Sequence, residues 1–150
     1  MKIINGEKSD LKEILDLQYL AFEDEAKIVD DYSIEPLHQS LEDSEKEFDK
    51  GTVLKAINDD NVIIGSVRNY IQDNTSYIGR LMVHPDYRGN GLGSRLIEEI
   101  EKIGDKSRFE VFTSSKSERN LNLYRKHGYK KFDERIFSSK LKFIYLEKFI

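Results

Sequence analysis

The sequence predicts a mixed α/β fold: a largely antiparallel sheet with helices on its faces. Three observations carry that expectation. Residues 52–83 hold β-branched and apolar runs separated by turn residues, the pattern of an antiparallel meander. Residues 77–149 then read as strand, helix, strand, helix and two closing strands, which suits a mixed sheet with crossover helices. Apolar residues make up 38% of the 150, with eight Phe and eight Tyr, enough for one core of ordinary size. No repeat, low-complexity segment or Pro-rich linker interrupts the chain, so residues 1–150 are expected to form one domain.

Each element has a local reason. Lys2–Asn5 reads as a first strand. Ser9 is a good helix N-cap, because its hydroxyl accepts from an early backbone N–H. Leu11, Ile14, Leu15, Leu17, Leu20 and Ala21 then give a helical apolar face. Residues 23–39, rich in acids and aromatics, read as irregular. Ser40 with Asp43 predicts the cap of a second helix, which Gly51 ends. Thr52–Ile57 and Val62–Ile71 are strands around an Asn58-Asp59-Asp60-Asn61 turn, and Gln72–Ser76 is a second turn. Tyr77–Val83 is a strand that stops before His84-Pro85. Gly91–Ile103 is helical, with Leu92, Leu96, Ile97, Ile100 and Ile103 on one face. Arg108–Thr113 is a strand, Ser117–His127 a helix stopped by Gly128, and Tyr129–Phe137 and Leu141–Phe149 are closing strands.

Composition narrows the function. The chain has no cysteine, which excludes disulfides, thiolate catalysis and cysteine zinc sites. No segment reaches the ~18–20 apolar residues of a membrane span. The first residues turn polar at once, unlike a signal peptide. A soluble cytoplasmic protein is expected, monomer or homodimer, without a membrane partner. Net charge is −4 and the pI about 5.5. Basic runs such as Arg125-Lys126 and Lys130-Lys131 are too short for a nucleic-acid stripe. No paired-His or His-x-Glu spacing suggests a metal.

The informative segment is Arg88-Gly89-Asn90-Gly91-Leu92-Gly93, between a strand and a helix. Alternate glycines leave backbone N–H groups unobstructed, and the following helix adds its positive dipole end. Together they suit a pyrophosphate, with Arg88 adding a charged donor. Two competing motifs fail on spacing. A dinucleotide fingerprint from Gly89 needs a sixth-position glycine, where Ser94 stands. A P-loop needs Lys and Ser/Thr after the glycine, where Ser94-Arg95 stand. A tight turn with no ligand is the plain alternative.

The stretch from Leu81 to Leu96 resembles the acyl-CoA signature of the GNAT acetyltransferases, Gln/Arg-x-x-Gly-x-Gly/Ala after an apolar strand and a Pro-containing loop. Arg88, Gly91 and Gly93 match it. Leu123-Tyr124-Arg125-Lys126-His127-Gly128-Tyr129 is similar to the family's second element, Leu-Tyr-x-Lys-x-Gly-Phe/Tyr. The resemblance implies a GNAT-like fold whose sheet splays at the acyl-CoA site. It implies acetyl-CoA as co-substrate, its pantetheine along the backbone of Leu81, Met82 and Val83. The pyrophosphate would lie on Arg88, Gly89, Asn90, Gly91, Leu92, Gly93 and Ser94. It further implies acetyl transfer to a primary amine of a small molecule or peptide. A catalytically silent acyl-CoA-binding module of the same fold is the alternative.

Amide formation needs a neutral amine, yet a lysine-like amine is neutral in roughly one molecule in 2,500 at pH 7. Something must accept its proton. By resemblance, Tyr124 is the group that protonates the departing thiolate. The family often has Asn seven residues earlier; here Ser117 stands there, with Asn120 as a substitute CoA contact. The family's strand glutamate is missing near Gly79. Glu110 on the next strand is therefore the candidate base, or else a partner of Arg80 or Arg108. His84 and His38 are weaker candidates. The acids around Asp30, Asp31 and Tyr32 are expected on the acceptor side, where they would favour a cationic amine.

Overall fold

The computed structural model describes residues 1–150. Seven strands form one sheet in the order β1-β2-β3-β4-β5-β7-β6. They are β1 (Lys2–Asn5), β2 (Thr52–Ile57), β3 (Ile63–Gln72), β4 (Thr75–Val83), β5 (Arg108–Ser114), β6 (Lys130–Ile136) and β7 (Lys142–Phe149). The helices are α1 (Leu11–Val29), α2 (Leu41–Phe48), α3 (Leu92–Glu101) and α4 (Glu118–Lys126). Every strand pair is antiparallel except β4 with β5.

The turns follow from their residues. Asp73 and Asn74 join β3 to β4 with φ of 51° and 63°, the two left-handed positions of a tight hairpin that Asp and Asn tolerate. The Asn58 side chain accepts from the N–H groups of Asp60 and Val62 at 2.9 and 3.0 Å, closing the β2–β3 turn.

The β3–β4 ladder carries a bulge that positions everything downstream. Ser66 pairs with Met82 and Arg68 with Gly79, so Arg80 and Leu81 together oppose Val67. One residue is left out of the ladder, and Arg80 takes φ of 49° to accommodate it. By this point β4 has already left β5. The two strands pair only from Thr75–Tyr77 to Arg108–Glu110, although β4 runs on to Val83 and β5 to Ser114.

Both faces of the sheet are packed. On one, Leu96, Ile97 and Ile100 of α3 are fully buried against Leu54, Val67, Ile78 and Val111. Each such side chain contributes about 1.5–3 kcal/mol. On the other, Leu11, Ile14, Leu17 and Ala21 of α1 cover Val53, Ile63 and Met82. The Tyr129 hydroxyl donates to Glu101 at 2.7 Å, and Lys148 meets the same carboxylate at 3.0 Å, tying the end of α3 to β7.

The sequence expectations need four local corrections. Residues 23–29 are helical rather than irregular, because α1 continues to Val29 and buries Ala26 and Val29 with Ile34 and Leu141. Leu20 is exposed on that helix. Ser9 does not cap α1; it lies within a 3-10 turn, and the Asp10 carboxylate accepts from the Glu7 N–H at 2.7 Å. Gly51 does not end α2, which stops at Phe48. Its role is close approach: an added Cβ would stand 1.9 Å from the Asn69 carbonyl oxygen. Ser40 caps α2 as expected, accepting from the Asp43 N–H at 3.1 Å.

Asp10 also joins α1 to the sheet through Lys55, at 2.8 Å with both side chains mostly buried. Burial alone would raise its pKa, but the bonds from Lys55 and Glu7 outweigh that and lower it. A lowered folded-state pKa gives stability that is present above the unfolded value of about 3.9 and lost as pH falls through the folded value. Asp10→Asn should therefore cost about 1 kcal/mol at pH 7 in urea unfolding. The difference from the parent should shrink below about pH 4. A gap that is constant with pH would mean that the ion pair contributes nothing.

Candidate active site

The parting of β4 and β5 opens a cleft of about 310 Å³. Leu81, Met82 and Val83 form its floor, and the segment from Tyr87 to Ser94 closes one end. One wall is α4, through Arg119, Asn120, Leu123 and Lys126; the other is α1, through Ala21, Phe22 and Glu25. The backbone of β4 faces the cleft with its β5 ladder unmade.

The glycines of the turn do separate jobs. Gly89 and Gly91 have φ of 83° and 78°, and a Cβ on either would meet nothing within 4 Å. They are required by the left-handed backbone, which turns successive N–H groups inward, and not by crowding within the protein. Gly91 is the N-cap of α3, so the positive end of that helix points into the same place. Gly93 serves packing: its Cβ would lie 3.3 Å from Leu123 of α4.

Charge is distributed with a purpose that can be traced atom by atom. Arg88 pairs with Asp24 of α1 and also donates to the Ala21 carbonyl at 3.3 Å. The Arg88 bond holds the Asp24 carboxyl below its usual range. Glu25, the next residue, accepts from the Ser117 hydroxyl at 3.0 Å and lies 3.6 Å from Arg119. Asn120 donates to Thr113 at 3.2 Å and reaches Glu25 at 3.5 Å. Asp24 and Glu25 thus clamp both ends of the cleft to one turn of α1.

Tyr124 lies behind this wall. It is buried, with its ring 5.8 Å from that of Tyr129. Burial first, and then the Glu25 carboxylate, push its pKa well above that of a free phenol, so the hydroxyl keeps its proton at neutral pH.

Other expected site residues fall elsewhere. Asn90 is exposed and does not line the cleft; its side chain turns back toward the Tyr87 carbonyl at 3.5 Å. Ser117 stands at the N-cap of α4, but its hydroxyl is committed to Glu25 rather than to the helix or the cleft. Glu110 lies where β4 and β5 are still paired, and Arg108 holds it at 2.9 Å. It is the ion-pair partner that its sequence position also allowed, and it is outside the cleft lining. Asp30, Asp31 and Tyr32 are not in the cleft either. Asp30 ends α1, where Lys140 donates to its carbonyl at 2.8 Å, and Asp31 accepts from Ser33 at 2.6 Å. The reason is the extra length of α1, which carries these residues past the cleft. His84 accepts from the Asp86 N–H at 3.1 Å, and His38 contacts the Tyr32 carbonyl at 2.8 Å. The sequence places Glu25 only among the acids expected on the acceptor side, and assigns no site role to Phe22, Lys126 or Arg119. The last two were findable, since they share a helical face with Leu123; the contacts of Glu25 with α4 follow only from α1 extending to Val29.

No curated protein sequence matches this chain. Solved structures match it in fold. The PaiA N-acetyltransferase of Thermoplasma acidophilum, in complex with coenzyme A, superposes with a TM-score of 0.81 at 21% identity, covering 100% of both chains. YncA from Salmonella typhimurium, with acetyl-CoA, gives 0.75 at 16% identity over 99% of this chain and 93% of its own. The ribosomal-protein-S18-alanine N-acetyltransferase of Escherichia coli gives 0.73 at 17%, over 97% and 91%. At these identities the likeness is one of fold. The sequence model of the acetyltransferase (GNAT) family, however, matches residues 11–129, spanning α1, the bulged β4, the glycine turn and α4. The chain belongs to the GNAT acetyltransferase family.

Proposed function

We infer that this protein transfers an acetyl group from acetyl-CoA to a primary amine of a small molecule or peptide. The observation that carries the reading is the cleft itself. Its floor is unpaired β4 backbone, and it ends on a glycine nest at the α3 N-terminus. A pantetheine arm needs the first feature and a pyrophosphate the second. Arg119 and Lys126 line the same cleft and suit further phosphate charge.

Acetyl-CoA supplies the thioester. The chain supplies positioning, donors and exclusion of water. Backbone groups of Leu81, Met82 and Val83 bond the pantetheine amides, and a free N–H of that strand stabilises charge on the carbonyl oxygen. N–H groups from Gly89 to Gly93 hold the pyrophosphate. Arg88 reaches it by exchanging Asp24 for phosphate. Tyr124 donates a hydrogen bond to the sulfur that leaves. Its raised pKa makes full transfer to a thiolate unfavourable, since a free thiol titrates near 8.5. Burial, with a smaller contribution from Glu25, raises the phenol pKa, and Glu25 anchors α4. Gly79 provides no carboxylate and Glu110 is bound to Arg108, so neither is assigned the base role.

Gly91→Val tests the cofactor assignment. A β-branched residue is strained at φ of 78°, and its side chain would occupy the open space of the nest. Calorimetry should find acetyl-CoA binding lost in a variant whose circular dichroism is unchanged; retained affinity would remove the basis for the assignment. Tyr124→Phe tests the chemistry. It should lower kcat by about 10- to 100-fold, the range of one hydrogen bond to a charged group, with little change in acetyl-CoA affinity. Wild-type kcat where chemistry limits the rate would exclude the donor role. Acetyl-CoA binding without turnover across a broad amine panel, read as free thiol, would favour the silent binding module.

A further inference from the structure

Next to the cleft, on the α1 face of the sheet, two arginines stand with little to satisfy them. Arg68 of β3 lines a small recess under α1 with Arg80 of β4, Gln18 and Ser66. The Arg68 side chain forms no hydrogen bond or ion pair. Burial, and then the like charge of Arg80, push its pKa down to about 10, which leaves it charged at neutral pH. Arg80 pairs with Glu35 through one nitrogen and lies 6.0 Å from the Phe22 ring, but its Nε is buried without a partner. Glu35 and Glu47 offset part of the charge on Arg68 from a distance.

Directly across the ladder from Arg68 is Gly79. Residues opposite each other in an antiparallel pair present their side chains to the same face. A Cβ on Gly79 would meet nothing within 4 Å. The open space over Gly79 is therefore on the side of Arg68. It lies two residues past the last β4–β5 pair and two before Leu81, where the cleft floor begins. Two positions further along the same face, Tyr70 and Tyr77 stack with ring centroids 5.0 Å apart and give the space an apolar flank.

A half-buried guanidinium without a partner beside a buried, unpartnered arginine Nε makes a place that favours an anion. We propose that the space over Gly79 is the acceptor subsite, and that Arg68 and Arg80 hold there a carboxylate carried a few bonds from the reacting amine. The acceptor is then a small amino acid-like amine and not a polyamine. This rests on the reading that acetyl-CoA lies along Leu81–Val83, because only then does the amine of a molecule anchored over Gly79 face the acetyl carbonyl. The left-handed backbone of Arg80 is part of the device, since the bulge brings consecutive residues to the subsite and the cleft.

Matched acceptors test the proposal: tyrosine against tyramine, and lysine against cadaverine, with acetyl-CoA and free-thiol detection. The carboxylate member of each pair should be preferred in kcat/KM by about 10- to 100-fold, the range of a charge-assisted hydrogen bond. Arg68→Gln should make the two members converge. Gly79→Glu provides a second variant, because the new side chain has room and brings its own carboxylate to Arg68; it too should abolish the preference. Calorimetry of tyrosine on the CoA-loaded protein gives a reading independent of turnover. Turnover with no carboxylate preference, or a preference that survives both variants, overturns the subsite while acetyl transfer stands. Tyrosine binding that is lost in both variants, without turnover of any amine, keeps the subsite and overturns the transfer. Absence of both tyrosine binding and carboxylate preference overturns the subsite outright.

Discussion

Everything functional in this molecule depends on two neighbouring strands that begin as a pair and then separate. A parallel pair that stopped at Tyr77 and Glu110 for want of residues would leave only two frayed ends. Here both strands continue, and the gap between them is held open by packing on both faces. The bulge at Arg80 and Leu81 follows the last β4–β5 pair and gives β4 an extra residue inside the gap. Unmade ladder bonds are costly when buried, so such a gap is stable only where water or a ligand can use them. The cleft answers that requirement with a floor of unpaired backbone.

The same turn of α1 serves both sides of the opening. Asp24 holds Arg88 at the phosphate end, while Glu25 holds Ser117, Asn120 and Arg119 on α4. Adjacent helical residues point about 100° apart, which is how one turn reaches two walls. The Asp24 carboxylate occupies Arg88 beside the glycine turn. Glu25 has a further effect at a distance, since its charge disfavours ionisation of Tyr124. Burial and this charge together leave the phenol a weak acid.

Much of the fold was legible because local chemistry decides it. The Asn58 turn, the Asp73-Asn74 hairpin, the Ser40 cap and the α3 face from Leu92 to Ile100 are each set by residues close in sequence. The glycine turn was legible for the same reason: a backbone with positive φ at Gly89 and Gly91 is a local demand. Where prediction failed, a distant partner was responsible. Residues 23–29 look irregular on their own, and are helical because Ala26 and Val29 bury against Ile34 and Leu141. Gly51 looks like a helix stop, and is glycine because Asn69 passes across it.

The sequence by itself determined the mixed sheet, the nest for a pyrophosphate and the family to which the chain belongs, because periodicity, turn residues and a six-residue motif are short-range properties. It left the acids and bases undecided. Glu110 could be a base or a partner of Arg80 or Arg108, and the structure pairs it with Arg108; Asp30 and Asp31 were expected on the acceptor side, and α1 is long enough to carry them past the cleft. Glu25 was one acid among several expected on the acceptor side, and Arg68 drew no notice. An ionisable side chain takes its role from whatever charge and solvent stand within a few ångströms, and those neighbours come from strands and helices tens of residues away. Only the tertiary structure decided which charges are paired, which phenol is buried, and where an arginine is left facing open space.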